Sequence, residues 1–214
     1  IDSFKIFERA ADVGGVWREN TYPGAACDVP SRFYSFSFEQ EYPWSLRYAP
    51  QNEIYSYLKY CIRKYKLTPH IFFDVTISSA KFHEKNSLWS LYATGGCEYN
   101  ANIFVSAVGL FNQPVIPEIP GKELFKGPQF HSSRWDHSYD VTGKTIASIG
   151  TGASAIQYVP EISRTAKQIY VFQRTPQHIF PKGDRKNSVF EPIDKPWRKL
   201  IGRYERLKMF LTFE

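Results

Sequence analysis

Gly150, Gly152 and Ala155 stand at the spacing G-x-G-x-x-A, directly after the apolar run from Lys144 to Ile149. Between a strand and a helix, that triplet is built for a dinucleotide. The first glycine permits a tight turn, and the second lets backbone approach a pyrophosphate. The small third residue lets helix and strand pack closely. A helix start leaves four backbone N–H groups unpaired, which makes an anion site for the diphosphate. The alternative is a glycine turn that holds no ligand. A second apolar run ends in Gln173-Arg174-Thr175, about 20 residues beyond the loop, where an NAD site carries an acid for the ribose hydroxyls. A guanidinium beside a hydroxyl suits a 2′-phosphate instead, so the reading is NADP, against the alternative of a solvated surface arginine. Near the start of the chain, Phe4 to Arg9 reads as a short strand with Glu8 at its end. In a dinucleotide fold an acid there accepts hydrogen bonds from ribose hydroxyls.

These residues need elements to hold them. Ala155, Val159, Ile162 and Ala166 recur at helical spacing and form the inward face of a helix that Pro160 is expected to kink. Asn52 to Lys66 carries a stripe of Ile54, Tyr57, Leu58, Cys61, Ile62 and Tyr65 and predicts a core helix ending before Pro69. Val13 to Trp17 is a glycine turn followed by a large aromatic, and Thr21 to Asp28 is a proline-glycine loop closed by a lone aspartate. In series they resemble the second half of a flavin-binding Rossmann unit whose first strand and glycine loop would lie upstream of Ile1. Phe33 to Phe38 alternates aromatic and small residues, which suits a half-buried strand or loop, or a stacking surface for a ring ligand. From Ile71 the pattern turns to strands, at 73–77, 81–83, 89–92 and 103–109, the last a buried-strand run ending in Gly109. Asn112 to Gly121 breaks the chain with three prolines and marks a domain boundary. The linker 124–136 contains His131 and Trp135, and by itself assigns no chemistry, since a single linker histidine is most often a surface or packing residue. Residues 176–192 read as loop and 196–211 as a basic amphipathic helix, for which packing on the parent protein is favoured over a membrane surface or a partner.

The bulk properties narrow the class. A chain of 214 residues with 43% hydrophobic and 17% aromatic content has material for one large domain or two small ones. No apolar run reaches 18 residues, so no membrane span is expected. Of the 27 Lys and Arg, 12 lie in 160–214 against 6 of the 21 Asp and Glu, leaving 15 of each sign before residue 160. The basic bias therefore sits in the tail, and charge alone gives no nucleic-acid binder. Cys27, Cys61 and Cys97 are odd in number and lack CxxC spacing. That argues against a disulfide framework or a metal site and for a reducing, cytoplasmic setting. It also sets aside a disulfide reductase, whose paired redox cysteines are missing around Cys27. The start at Ile1, with no initiator Met or signal peptide, and the close at Glu214 lead to the expectation of a fragment of a longer protein.

With those residues laid out, the chain from Phe4 to about Pro181 resembles the Baeyer–Villiger monooxygenases, within the class B flavoprotein monooxygenases. Phe125-x-Gly127-x-x-x-His131-x-x-x-Trp135-Asp136 matches that family's F-x-G-x-x-x-H-x-x-x-W-[P/D] fingerprint at every defined position. Gly14-Gly15-x-Trp17 followed by Tyr22-Pro23-Gly24-x-x-x-Asp28 matches its second motif. N-oxygenating relatives usually lack the Trp135-Asp136 ending. The resemblance implies an α/β protein with two Rossmann-like dinucleotide-binding domains, the first lacking its opening βα unit. Residues 1–115 would be part of an FAD-binding domain, 116–180 the linker and NADP-binding domain, and 181–214 the start of a helical insertion. It implies that NADPH reduces FAD, that oxygen adds to give a C4a-peroxyflavin, and that a ketone leaves as an ester or lactone. Glu8 would hold the FAD ribose, the Gly14-Gly15 turn with Trp17 and Tyr34 the flavin nucleotide, and Ile77 the adenine through its backbone. Asp28 would line the flavin–nicotinamide pocket and pair with an active-site arginine located beyond the end of this chain. Gly150, Thr151, Gly152, Ser154, Ala155, Gln157, Arg174 and Thr175 would hold NADP. His131, with Trp135, would act at the linker and couple cofactor position to turnover. An N- or S-oxygenating flavin monooxygenase is the runner-up, and an inactive NADP-binding fragment is the reading without an enzyme.

Overall fold

A computed structural model describes residues 3–179 of the chain. In chain order the elements are β1 (Ile6–Phe7), α1 (Val16–Glu19), α2 (Ser31–Tyr34), α3 (Gln51–Lys64), β2 (Ile71–Phe72), β3 (Ile77–His83), β4 (Leu88–Ala93), β5 (Glu98–Ala101), β6 (Thr145–Ile149), α4 (Ala153–Ile162) and β7 (Gln168–Phe172). They form two compact units. One consists of the residues up to Arg18 with Leu58–Gln113; the other of Glu19–Tyr57 with the described residues from Pro114 onward. The basic helix expected at 196–211 and the insertion expected from 181 lie outside the described residues.

In the first unit β1 pairs in parallel with β2, Ile6 opposite Ile71 and Phe7 opposite Phe72. Backbone bonds from Glu8 N–H to Phe72 O (3.0 Å) and from Val75 N–H to Glu8 O (3.0 Å) extend the pairing past the strand ends. β3, β4 and β5 form an antiparallel meander whose middle strand carries the buried Ser90, Leu91 and Ala93. The Ser90 hydroxyl crosses to Asn100 Oδ1 at 2.8 Å. Two expectations are corrected here. Of the strand expected at 73–77, Phe73 and Asp74 form a turn in which Asp74 takes φ 56°, and only Ile77 belongs to a strand. The run 103–109 forms no strand, and Ile103, Val105 and Val108 are each more than 70% exposed. An apolar run becomes a strand only beside a partner that accepts its hydrogen bonds, and no described strand pairs with it.

In the second unit β6 and β7 run parallel, Thr145 opposite Gln168 through Ile149 opposite Phe172, with α4 as the crossover between them. Of the four residues expected on the inward face of α4, Ala155 and Ile162 are buried, Val159 is half-buried and Ala166 lies beyond the end of the helix. Pro160 stands inside the helix, which ends two residues later instead of continuing past a kink. The aromatic stretch 33–38 is no strand: Phe33 and Tyr34 end α2, and residues 35–38 are a loop, the other form expected of it. Phe36 of this stretch meets Tyr57 of α3. The Tyr57 hydroxyl accepts from Phe36 N–H at 2.8 Å and donates to Glu39 O at 2.9 Å. Its ring meets Trp44 at 4.9 Å, Tyr42 at 5.1 Å and Phe36 at 5.8 Å. The chain wraps around one buried tyrosine, so an aromatic repeat of two residues arises without a sheet. Among the described residues no helix is long and apolar enough to cross a membrane.

Candidate functional site

Gly150 closes β6 with φ 98°, a conformation that a side chain strains, and its N–H donates to Phe172 O at 2.9 Å. Gly152 is the N-cap of α4. Nothing stands within 4 Å of where a Cβ would lie on either glycine, so the loop faces open space that a ligand's phosphates can fill. Ala155 is 8% exposed and packs inward. Thr151 Oγ1 accepts from Gln173 Nε2 at 3.0 Å, which ties the loop to the end of β7. Arg174 and Thr175 follow there, both exposed.

The loop 22–28 is fixed to the same helix. Tyr22-Pro23-Gly24-Ala25 is a tight turn, with Ala25 N–H donating to Tyr22 O at 3.1 Å and Gly24 at φ 76°. Proline second and a left-handed glycine third are what a type II turn requires. The glycine has a second reason. A Cβ there would lie 2.8 Å from the backbone oxygen of Gln157 and 2.8 Å from Glu161 Cγ. The Gln157 amide reaches back to the loop: Nε2 donates to Ala26 O at 2.9 Å, and Oε1 accepts from Ala26 N–H at 3.2 Å and Tyr22 OH at 3.0 Å. Burial pushes the Tyr22 phenol above its ordinary range; the Ser154 hydroxyl opposes this, and the charge of Asp28 adds to it. Cys27 is 3% exposed and bonds Ala49 O through its N–H at 2.9 Å, while Asp28 beside it is exposed.

The linker fingerprint is a packed wedge. His131 caps a 3-10 turn over Ser132–Arg134, and its Nδ1 accepts from Ser133 N–H at 3.2 Å and lies 2.9 Å from Ser133 Oγ. Accepting at Nδ1 places the proton of the neutral ring on Nε2. Trp135 sits between Phe130 (5.2 Å) and Tyr158 (5.3 Å) of α4, and Tyr158 in turn meets Tyr22 at 6.1 Å. The Tyr158 hydroxyl lies 2.8 Å from Ser148 Oγ of β6. Gly127 lets the Phe125 ring fold back, since a Cβ would lie 2.6 Å from it. Asp136 accepts from Ser138 N–H at 2.9 Å, and the Ser138 bonds hold its carboxyl below the usual range. Two further contacts join this wedge to the start of the loop, an ion pair from Arg134 to Glu19 at 3.1 Å and Thr21 Oγ1 against His137 Nε2 at 2.8 Å.

In the first unit, Glu8 follows β1. Its Oε1 accepts from Ala10 N–H at 2.8 Å and lies 3.4 Å from Arg18 Nη1. The adjoining turn has Gly14 at φ 111° and Gly15 at φ 49°, with open space at the Gly15 Cβ position. Trp17 N–H donates to Gly14 O at 2.9 Å and opens α1. Ile77 begins β3 opposite Ala93. Tyr34 ends α2 in the second unit and is 44% exposed.

The structure thus brings Gly150–Gln157, Tyr22–Asp28 and His131–Trp135 together in one unit, and puts Arg174 and Thr175 at the end of β7. Sequence reasoning missed the bonds of Gln157 to Ala26, of Arg134 to Glu19 and of Arg18 to Glu8. Ala26 and Gln157 are 131 positions apart, and no spacing signals such a pair.

The chain matches the flavin-binding monooxygenase-like family over residues 4–188. It is 46% identical over 205 residues to a Baeyer–Villiger monooxygenase of Pseudomonas aeruginosa, covering 92% of this chain and 39% of that protein. Its fold matches a crystal structure of OTEMO in complex with FAD and NADP at a TM-score of 0.78 and 34% identity, over 85% of this chain and 36% of that one. An ε-caprolactone-bound cyclohexanone monooxygenase matches at a TM-score of 0.81 and 32% identity, over 94% of this chain and 39% of that one. The chain spans about two fifths of the length of these relatives. The architecture is α/β, of the Rossmann type shared by those structures. The chain belongs to the flavin-binding monooxygenase-like family, and its kinship within that family is with the Baeyer–Villiger monooxygenases.

Proposed function

We propose that the chain is part of an NADPH- and FAD-dependent monooxygenase that inserts one oxygen atom beside a ketone carbonyl to give an ester or lactone. The observation that carries the reading is the open glycine loop at the start of α4, with Arg174 and Thr175 at the neighbouring strand end and the Asp28 loop bonded to the same helix. When bound, NADPH supplies the hydride and FAD the activation of oxygen. The residues of this chain bind and orient. Gly150, Thr151, Gly152, Ser154 and Ala155 receive the diphosphate at the helix start, where backbone N–H groups favour an anion. Arg174 and Thr175 take the 2′-phosphate. Glu8, held by Ala10 and Arg18, accepts from the FAD ribose, with Gly14, Gly15, Trp17, Tyr34 and the Ile77 backbone along the rest of that nucleotide. Asp28 lines the pocket where flavin and nicotinamide meet. His131 and Trp135 set the linker against α4. In this proposal residues 1–115 belong to the FAD-binding domain and 116–180 to the linker and NADP-binding domain, in a reducing, cytoplasmic protein that acts on small ketones and O2. The N- or S-oxygenating reading is not favoured, since the relatives carry the Baeyer–Villiger name.

Arg174 tests the cofactor assignment. A charge-assisted hydrogen bond is worth about 1.5–3 kcal/mol, roughly a ten- to hundredfold change in affinity. In the full-length protein Arg174→Ala is expected to raise the Michaelis constant for NADPH by about that factor and leave NADH use nearly constant. Thr175→Ala, losing only a neutral donor, is expected to act in the same direction more weakly. Flavin reduction rates against both nucleotides decide it. A common shift for NADPH and NADH would overturn the NADP assignment.

A further inference from the structure

The Gln157 amide makes three hydrogen bonds to the loop. It makes both backbone bonds to Ala26, the pair that a neighbouring strand would make, and it accepts from Tyr22 OH. On the other side of the chain, Ala26 bridges to Pro50, Cys27 N–H donates to Ala49 O, and Gln51 N–H donates to Ala25 O. Residues 25–27 are therefore a short extended segment held between the 49–51 backbone and one glutamine side chain. Gly24 brings the turn onto the carbonyl of that same glutamine. Asp28 follows two residues after Ala26. In the opposite direction, Ser154 lies one turn back along α4, at the glycine loop.

We propose that Gln157 is a positioning residue and not a nucleotide ligand: its amide latches the 22–28 loop to the dinucleotide-binding helix and so sets where Asp28 stands. The proposal rests on the functional reading only for the chemistry that Asp28 serves. An amide is needed because the partner is one residue's N–H and C=O together, and a side chain must both accept and donate to satisfy them. Methionine keeps the length and loses all three bonds. Tyr22→Phe removes only the third.

The test uses the full-length protein with its flavin bound. Backbone hydrogen exchange over residues 22–28 is followed in wild type, Gln157→Met, Gln157→Ala and Tyr22→Phe, without nucleotide and with NADP+. Loss of the amide pair is expected to speed exchange in that segment by about tenfold or more, and loss of the tyrosine hydroxyl by less. NADP+ affinity, from titration of the flavin absorbance, is expected to change by less than about threefold, because a threefold loss is below what one ligand bond supplies. The turnover number with a ketone is expected to fall while the Michaelis constant for NADPH holds, a split that a simple folding defect does not produce. Unchanged exchange in both Gln157 variants overturns the latch. Weakened NADP+ binding with unchanged exchange makes Gln157 a nucleotide ligand after all. A wild type that binds no NADP+ sinks the functional reading, while the exchange comparison without nucleotide still decides the latch.

Discussion

Gly24 carries two demands at one Cα, a left-handed φ of 76° and the approach of the Gln157 carbonyl. Either alone favours glycine; together they leave no side chain a place, because the obstacle at 2.8 Å is backbone and cannot rotate away. Gly24→Ala is therefore expected to destabilise the full-length protein by about 1–3 kcal/mol, seen as a lower melting temperature, whereas Gly15→Ala, with open space at its Cβ position, meets only the cost of its φ. Tyr22 gives a second test with a definite sign. Its phenol titrates above the usual range, so the bond to Gln157 is fully present below the ordinary tyrosine value near 10 and is lost as pH rises through the raised value. In a difference titration at the tyrosinate absorbance, wild type minus Tyr22→Phe is expected to show one phenol ionising late. A tyrosine titrating at the ordinary value would mean that the ring is not held in this buried contact.

At the scale of elements, the linker fingerprint acts through turns. His131 is used as an N-cap, a role that needs an acceptor and not an imidazole. His131→Ala is expected to lower stability by about 1 kcal/mol and to slow turnover with flavin content unchanged. His131→Asn, which keeps a capping acceptor, is expected to restore both. An asparagine variant as slow as alanine would show that the ring itself is required. The same scale shows what the sequence carried. The helical stripe from Ile54 to Ile62 and the β6–α4–β7 crossover were legible because their periodicity reports burial inside one element; Tyr65, expected in the same stripe, lies just past the end of α3 and is exposed. The aromatic repeat at 33–38 formed no strand; its Phe36 instead meets a tyrosine of α3 through ring and backbone N–H, a tertiary contact with no local sign. The run 103–109 reads as a strand from its composition, yet a strand is made by its neighbours, and none of the described ones pairs with it. The motif residues themselves were found by type and spacing, while Gln157, Arg134 and Arg18 owe their contacts to the fold.

For the molecule as a whole, large apolar side chains are exposed along much of the described chain, from Phe4 to Ile179. Leu110 is 89% exposed and Phe111 78%, with Val115 at 81% close behind. Among the described residues the two parallel pairs, β1–β2 and β6–β7, are two-stranded. Pairs of strands are marginal in water, and exposed apolar side chains favour association with other chains. The 214 residues expressed alone are therefore expected to bind an apolar dye, to associate and to take up little FAD; a monomeric, yellow, cooperatively melting preparation would contradict this. The central claim concerns the complete protein, and one labelling experiment reaches it. The full-length enzyme is incubated with FAD, NADPH, cyclohexanone and oxygen-18 gas, and separately with a tertiary amine in place of the ketone. A ketone monooxygenase yields the lactone with one labelled oxygen in its ring and one NADPH consumed per lactone formed, and it leaves the amine largely unoxidised. Hydrogen peroxide without lactone, or a labelled N-oxide from the amine while the ketone is untouched, would contradict the account.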